Sequence, residues 1–200
     1  MTLKQTIALL NCNFIYKPGI MKKSIFLFIT VLTIKCSVAQ SSLTPVDAVS
    51  KVHFVIKNFG LNTGGDLSGI KGSIIFDPAN LAASSFDVSV DAGTIDTDNS
   101  SRDDHLRNTE YFDVAKHKTI NFKSTKVVKA KAAGRFYVYG NLTIKGVTKP
   151  VEFGFGATPK DGGYVFDGEF EINRRNFGVG GSSISLSDNL AVSLSVFAKK

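Results

Sequence analysis

From residue 48 onward, apolar and polar side chains alternate with a period of two, and Gly, Asn, Asp or Pro interrupts the alternation at short intervals. This pattern is typical of β-strands that bury one face and are joined by turns. In the first run, Val52, Phe54 and Ile56 share one face, whereas Lys51 and Lys57 share the other. The pattern predicts an all-β domain with eight strands, in the runs 50–58, 70–76, 86–90, 120–122, 138–144, 151–155, 166–172 and 190–196.

Most of the predicted connections are short and rich in residues that favour turn dihedrals. Turns are predicted at residues 62–65, 77–80, 145–147 and 161–163. Short connections favour antiparallel pairing of strands that follow each other in the chain. Because closure removes the exposed edges of a sheet, we expect these eight strands to form an antiparallel β-barrel.

One connection is long. The alternation stops between residues 95 and 118, and Asn99 precedes a segment, 102–107, in which Asp103 and Asp104 would stabilise the first turn of a helix. We expect a short helix and a loop insertion here. Long insertions in compact domains often serve as lids or rims of binding sites.

The first 39 residues do not share the strand pattern. Within them, residues 21–39 contain a basic start, an apolar run and the small-residue sequence Ser37-Val38-Ala39, which together predict a signal peptide that is removed. The apolar run is shorter than the roughly 20 residues of a membrane-spanning helix. The sequence thus predicts a leader, 1–39, a mature domain, 40–200, and a periplasmic or secreted location.

The leader also explains the charge of the chain. It carries five lysines and no acidic residue, so its removal lowers the net charge from +7 to +2 and leaves no reason to expect a nucleic acid as partner. Both cysteines, Cys12 and Cys36, lie in the leader, so the mature domain has no thiol. Lipid modification of Cys36 is disfavoured by the preceding Lys35, where such a site needs a small residue.

Catalytic and metal-binding motifs are missing from the sequence. It has no nucleophile elbow, phosphate-binding loop or His-Glu-x-x-His motif. With three histidines and no mature cysteine, a zinc site would need carboxylates to make up its ligands. We therefore predict no cofactor and no metal. Arg102 and His105 either cap and pair within the helix or bind a polar head group.

Arg174 is unusual because it continues the strand parity of Phe170 and Ile172, which would point its guanidinium inward. A buried arginine must be paired. The sequence leaves three interpretations open: a structural clamp to Asp103 or Asp104, a head-group anchor at the rim of a cavity, or a bulge at Arg174-Arg175 that turns the side chain outward.

The mature chain has thirteen phenylalanines and no tryptophan. Simple core packing accounts for such a set, and so does the wall of an apolar cavity, since small barrels either fill with side chains or hold one ligand. Glycines at predicted strand positions, such as Gly72 and Gly140, would leave room inside.

From about residue 47 to the end, the sequence resembles the YceI-like, polyisoprenoid-binding family. Seven motifs in family order carry the resemblance and span almost the whole mature domain: Ser50-x-Val52-x-Phe54, Gly72-x-Ile74-x-Phe76-Asp77, Arg102-Asp103-x-His105-Leu106, Tyr111-Phe112-Asp113-Val114, Ile120-x-Phe122-x-Ser124-Thr125, the stretch from Gly140 to Lys149, and Asn173-Arg174-x-x-Phe177-Gly178. Lys57 and Asn176 depart from residues that many members have.

The resemblance implies an extended, lipocalin-like barrel whose apolar tunnel binds an isoprenoid or fatty amphiphile for transport, storage or sequestration, without catalysis. Arg102, His105 and Arg174 would then be polar rim residues. The residues of inward parity expected to line the tunnel are Val52, Phe54, Ile56, Phe122, Val138, Leu142, Phe153, Phe170 and Val192.

Two alternatives remain at this stage, and a homodimer stays open as well. The first is an enzyme that acts on a bound amphiphile through Arg102, Asp103, His105 and Arg174. The second is an outer-membrane barrel, since alternation does not show whether the apolar face points in or out. The charged residues of the opposite face, among them Lys51, Lys57, Asp91 and Lys123, favour solvent outside and a protein that is not integral to a membrane.

Overall fold

The computed structural model describes residues 42–200, so the predicted signal peptide, the mature start and Cys36 lie outside the described residues. The described part contains one α-helix, α1 (Ser100–Arg107), and short 3-10 turns at Asp47–Val49, Leu81–Ala83, Ala92–Thr94 and Arg174–Phe177. Its strands are β1 (Thr44–Pro45), β2 (Lys51–Asn58), β3 (Leu61–Leu67), β4 (Lys71–Ile75), β5 (Ser85–Asp91), β6 (Thr119–Lys129), β7 (Arg135–Ile144), β8 (Val147–Lys160), β9 (Gly163–Asn173) and β10 (Leu186–Lys199).

All strand pairs are antiparallel and belong to one curled sheet, which confirms the predicted fold class. The strand order is β3-β2-β10-β9-β8-β7-β6-β5-β4, with β1 paired to β10. The register places residues of like parity side by side: Leu190 of β10 lies opposite Ile56 of β2 and Ile172 of β9. The apolar residues of successive strands therefore form one continuous inner face.

The two end strands of the sheet, β3 and β4, are not paired with each other in the described residues, and other segments close the gap between them. At one corner, β1 pairs with β10, and the preceding Leu43 exchanges two backbone hydrogen bonds with Ile74 of β4, at 2.7 and 2.9 Å. Farther along, Asp66 of β3 exchanges two backbone bonds with Asp96, which precedes α1. The long insertion, which was expected to be a lid or rim, thus also contributes to the barrel wall.

The structure has two strands more than the eight predicted, and it corrects the turn predicted at residues 62–65. These residues belong to β3, and the chain turns instead at Phe59 and Gly60, whose φ angles of 50° and 77° are those of a type I′ hairpin. Gly64 and Gly65 are glycines for another reason. A Cβ on Gly65 would lie 2.6 Å from the Phe54 ring and 2.7 Å from Thr97. Strand β3 can therefore lie close to Phe54 and Thr97 only because it has no side chain at this position.

The helix predicted after Asn99 is confirmed. The Asn99 side chain accepts a hydrogen bond from the Arg102 backbone N–H at 2.9 Å, which satisfies one of the free donors of the first turn. Two arginines attach the helix to the segment before it. Arg107 donates to the carbonyls of Gly93 and Ile95, at 2.9 and 2.8 Å, and Arg102 donates to the hydroxyl and carbonyl oxygens of Thr97.

The interior of the barrel is divided along its axis. Around the C-terminal end of β10, at Ala198, the interior is filled by an aromatic plug, in which the Phe76 ring meets five others with centroids 5.1–6.4 Å apart. Along the rest of β10, as far as Val196, the inward side chains leave a cavity. The plug consists of Phe76, Phe86, Phe136, Phe155, Tyr164 and Phe166 with Leu43, Ile74, Val127, Val138 and Ala198.

The strand glycines do not open the interior as expected. A Cβ on Gly72 would lie 2.1 Å from the Asp87 carbonyl oxygen of the neighbouring strand. A Cβ on Gly140 would lie 2.6 Å from the Phe122 ring and 2.7 Å from the Lys123 carbonyl oxygen. These glycines permit close approach of neighbouring backbone and rings, and the cavity owes its space to the placement of the large side chains.

Candidate functional site

The candidate site is the cavity at the end of the barrel opposite the plug, with a volume of about 420 Å³, within the range of small-molecule sites. Its wall is apolar and comes from β2, β5, β6, β7, β8, β9 and β10 together. Many of the inward side chains there, such as Phe54, Phe153 and Phe170, are only half-buried, because they face the empty space. A wall of this kind can hold an apolar chain without any specific polar contact.

Of the nine residues predicted to line a tunnel, eight line the cavity and one does not. The prediction for Val138 is wrong, because this residue is 2 % exposed and packs within the aromatic plug. Parity identified the inward face of β7 correctly, but parity does not tell how far along the barrel a residue lies. The eight lining residues are Val52, Phe54, Ile56, Phe122, Leu142, Phe153, Phe170 and Val192.

Phe122 and Phe153 form the floor where the cavity meets the plug. Their ring centroids are 5.6 Å apart, and both rings pack against the buried cluster of the plug. Phe153 also stacks on Phe170 with centroids 4.4 Å apart and an interplanar angle of 14°. The phenylalanines therefore serve both purposes considered from the sequence: some pack the core in the plug and others line the cavity, according to their position along the barrel.

The cavity opens at a mouth that is more polar than its wall. The mouth lies between the β2–β3 hairpin, α1, and the loop of residues 178–185 that precedes β10. Its polar residues are Asn58, Thr63, Arg102, His105, Arg174, Ser183 and Ser185. All three predicted rim residues, Arg102, His105 and Arg174, are thus placed at the cavity.

Arg174 is buried and paired, but the predicted partners, Asp103 and Asp104, are wrong. Strand β9 ends at Asn173, whose side chain accepts from the Arg175 N–H and turns the chain, so Arg174 does not continue the strand. Its guanidinium, 4 % exposed, instead pairs with Asp188 at 3.1 Å. It also donates to the backbone carbonyls of Val179, Gly181, Leu186 and Ser187.

All five donors of the Arg174 guanidinium are therefore engaged, two by the mouth loop and three by the first residues of β10. The side chain thus acts as a clamp, though not to Asp103 or Asp104, and it fixes the mouth loop and the start of β10 to the end of β9.

The acidic and basic groups of α1 are also engaged locally. Arg102 donates to the Thr97 hydroxyl and carbonyl oxygens, and Asp103, 5 % exposed, accepts from the Thr97 N–H and hydroxyl. His105 has a half-exposed ring, with its Nε2 4.0 Å from a Glu110 carboxylate oxygen and its ring 5.0 Å from that of Tyr111. His105 is the predicted rim residue whose side chain is most accessible.

One polar group at the mouth had no signal in the sequence. The Asn58 Oδ1 atom is buried and has no hydrogen-bond partner, the one such side-chain atom in the described part of the chain. Asn58 lines the cavity at the last position of β2. A buried acceptor without a partner is costly, and it can be satisfied by a donor within the cavity.

The described residues include no group of three or more His, Cys, Asp or Glu side chains placed to share a metal ion. None of the described helices is long and apolar enough to span a membrane. The described site is therefore an apolar cavity with hydrogen-bonding groups at one end.

Comparisons with known proteins agree with this architecture. A UPF0312 protein of Vibrio parahaemolyticus is 35% identical over 178 residues, which cover 82% of this chain and 93% of the relative. A UPF0312 protein of Vibrio cholerae is 36% identical over 139 residues, 66% of this chain and 73% of the relative.

Solved structures show the same fold. BcnA of Burkholderia cenocepacia aligns with a TM-score of 0.72 and 26% identity over 76% of this chain and 98% of BcnA. A polyisoprenoid-binding domain of Saccharophagus degradans aligns with a TM-score of 0.64 over 78% of this chain and 97% of that domain, and at 13% identity it shows the fold alone. The model of the YceI-like domain matches residues 44–198, and the chain therefore belongs to the YceI-like family.

Proposed function

We propose that this protein binds an amphiphilic isoprenoid or fatty lipid, with the tail in the cavity and the head at the mouth. The observation that carries the proposal is the asymmetry of the barrel interior: an apolar wall, a filled far end and one polar mouth. Each methylene buried in such a wall contributes about 0.8 kcal/mol, so the tail supplies most of the affinity. The Saccharophagus degradans domain of the same fold is a polyisoprenoid-binding domain, which supports this ligand class.

The mouth favours an uncharged head group that donates a hydrogen bond. The Arg174 guanidinium has no donor left for an anion, and Arg102 commits its Nε and Nη2 atoms to Thr97. The Asn58 Oδ1 atom offers an acceptor that nothing else uses. A hydroxyl or amide head would satisfy that acceptor, whereas a phosphate would repel it.

The proposal includes export and a role in transport, storage or sequestration of the lipid. Export is supported by the leader pattern in residues 21–39. Solvent outside the barrel is supported by its outward charged side chains, since Lys51, Lys57, Asp91 and Lys123 are all exposed. An outer-membrane barrel would instead present an apolar band on that face.

Binding is favoured over catalysis because the four groups of the alternative site do not act on a common point. Arg102 and Asp103 are bonded to Thr97, Arg174 is bonded to the mouth loop, and His105 stands beside Glu110 and Tyr111. General acid–base chemistry needs such groups within hydrogen-bond reach of one reacting atom.

The test places a bulky side chain in the cavity and a matched one outside it. Val192 and Ser193 are neighbours on β10; Val192 lines the cavity and Ser193 is exposed on the outer face. We expect Val192→Trp to weaken binding of a fluorescent fatty acid by about tenfold or more, because the indole displaces several methylene units of the tail. Ser193→Trp should leave the affinity unchanged.

Native mass spectrometry of the protein purified from its own cells supplies the second measurement. We expect a lipid adduct in the wild-type protein and in Ser193→Trp, and its loss in Val192→Trp. Equal fatty acid affinity in both variants, together with a wild-type protein free of lipid, would contradict the proposed function.

A further inference from the structure

Three of the large apolar side chains that the described residues leave exposed lie together beside the cavity mouth. Phe59 is 80 % exposed, Leu61 is 73 % exposed, and Ile184 is fully exposed. Phe59 and Leu61 flank the turn of the β2–β3 hairpin, and Ile184 lies in the mouth loop. The Phe59 N–H donates to the Ser185 carbonyl at 2.8 Å, so the hairpin and the loop form one surface, which we call the apolar tip.

The apolar tip is continuous with the cavity. The residues directly beside its three members, among them Asn58, Ser183 and Ser185, line the cavity at the mouth. A ligand that passes the mouth therefore passes the tip. Exposed apolar groups cost little when scattered singly, but a group of three on adjoining loops indicates a contact surface.

The backbone at the tip is unfavourable for the residue it carries. Phe59 has a φ of 50°, a left-handed conformation in which a bulky residue is uncommon and Asn or Gly would be preferred. The Phe59 ring gains no burial in return, since it points into solvent. An aromatic side chain at such a position is available for a contact outside the folded chain.

The charges around the tip fit an anionic lipid surface. The hairpin from residue 57 to 65 contains no acidic residue and begins with Lys57. The segment from residue 175 to 187 contains none either, and Arg175 at its start pairs with the following Asp188 at 3.6 Å. Lys145 also donates to the Gly178 carbonyl of the mouth loop at 2.9 Å. The carbonyl of Glu110 accepts from the Gly180 N–H and from Lys145, so one acidic residue also lies beside the mouth loop, next to that lysine.

We propose that the apolar tip inserts Phe59, Leu61 and Ile184 into the surface of a lipid bilayer and holds the cavity mouth against it. Large apolar side chains beside basic residues are the combination by which peripheral proteins bind membrane interfaces. Loading of the cavity through this contact presupposes the lipid-binding function proposed above, but the contact itself does not require an occupied cavity. Reversible docking of this kind would let a tail pass from the bilayer into the barrel with little exposure to water.

The first test uses tryptophan as a reporter, because the chain contains none. Ile184→Trp places an indole on the tip, and Tyr137→Trp places one at a half-exposed position on the outer face of β7. With vesicles of phosphatidylcholine and phosphatidylglycerol, we expect a blue shift of the emission for Ile184→Trp and none for Tyr137→Trp. An unchanged spectrum for both variants would overturn membrane docking by the tip.

The second test removes the tip. The triple variant Phe59→Ser, Leu61→Ser and Ile184→Ser is compared with the control Val49→Ser and Tyr137→Ser, which removes exposed apolar groups elsewhere. In co-sedimentation with the same vesicles, we expect the affinity of the triple variant to fall by roughly tenfold or more, because interfacial binding scales with the apolar area buried. The control should bind like the wild-type protein.

Two further measurements separate this inference from the proposed function. Affinity for a fluorescent fatty acid without vesicles should be equal in the triple variant and the wild-type protein, while transfer of that fatty acid from vesicles should be slower in the triple variant. If the wild-type protein bound no fatty acid, the proposed function would be contradicted, while the sedimentation experiment would still test membrane docking by the tip. A concentration-dependent dimer that the triple variant loses, without vesicle binding by the wild-type protein, would instead show that the tip pairs two copies.

Discussion

At the scale of single residues, Arg174 determines the geometry of the mouth. Its side chain joins the end of β9 to two carbonyls of the mouth loop, which contains Gly178, Gly180 and Gly181, and to two carbonyls and one carboxylate at the start of β10. A glycine-rich segment loses much conformational entropy on folding, so it needs such bonds to stay in one conformation. The Arg174 guanidinium, together with the burial of Val179 against Leu142 and Ile144, therefore keeps the loop at the cavity.

We predict that Arg174→Met lowers the free energy of unfolding by about 2–4 kcal/mol, because several buried carbonyls lose their donor. Arg175→Met should change it by less than about 1 kcal/mol, since Arg175 is half-exposed and pairs with Asp188 only at 3.6 Å. Urea denaturation followed by circular dichroism measures both. Equal effects of the two substitutions would mean that the loop does not depend on the buried guanidinium.

Arg174 also shows how far residue-level prediction from the sequence could go. Its burial and need for a partner could be predicted from parity and charge. Its partner could not, because Asp188 and the loop carbonyls reach it only after β9 ends at Asn173 and the chain reverses. Asn58 gave no signal at all, since its missing hydrogen bond is a property of the folded mouth.

At the scale of elements, the glycines of the sheet distinguish close packing from open space. Gly140 on β7 and Gly154 on β8 are both strand residues without positive φ angles. A Cβ on Gly140 would meet the Phe122 ring and the Lys123 carbonyl oxygen, at 2.6 and 2.7 Å, whereas a Cβ on Gly154 would first meet Tyr137 at 3.5 Å. The two positions form a matched pair.

We expect Gly140→Ala to lower the free energy of unfolding by about 1–3 kcal/mol, because β6 and Phe122 must shift to admit the methyl group. Gly154→Ala should be neutral or slightly stabilising, since alanine restricts the unfolded chain and fits the strand. Thermal and urea unfolding of both variants gives the comparison. A neutral Gly140→Ala would show that the floor of the cavity is looser than its contacts indicate.

Strand prediction succeeded wherever alternation was carried by large side chains and failed at β3. The sequence Leu61-Asn62-Thr63-Gly64-Gly65 has no alternating apolar residues and contains residues that favour turns. It forms a strand because it pairs with β2 from Val52 to Asn58 and because its glycines lie close under His53 and Phe54. This is a tertiary effect that local propensity does not contain.

At the scale of the whole molecule, the aromatic plug limits the depth of the cavity. Parity could predict that the interior is apolar, and the family resemblance predicted a tunnel. Neither could predict that one end is filled, because filling depends on which inward side chains of β4 to β9 meet at the same level along the barrel axis. Val138, placed in the cavity by its parity, lies in the plug for this reason.

We predict that Phe153→Ala extends the cavity toward the plug and shifts binding toward longer tails. Phe153 forms part of the floor and packs on Phe122 and Phe170, so its loss should also cost about 2–4 kcal/mol of stability. Native mass spectrometry with a mixture of saturated fatty acids measures the preference. Ala157→Ser, beyond the floor, serves as the control, and an unchanged tail preference in Phe153→Ala would contradict a floor at this residue.

Within the described residues, a barrel filled at one end leaves one opening to its cavity. A lipid bound as proposed, with its tail inside, would leave through the same opening head group first, and one bound molecule would block entry of a second. In the proposed transport role, an acceptor would therefore contact the head group before the tail, and release would depend on extraction of the lipid through the mouth.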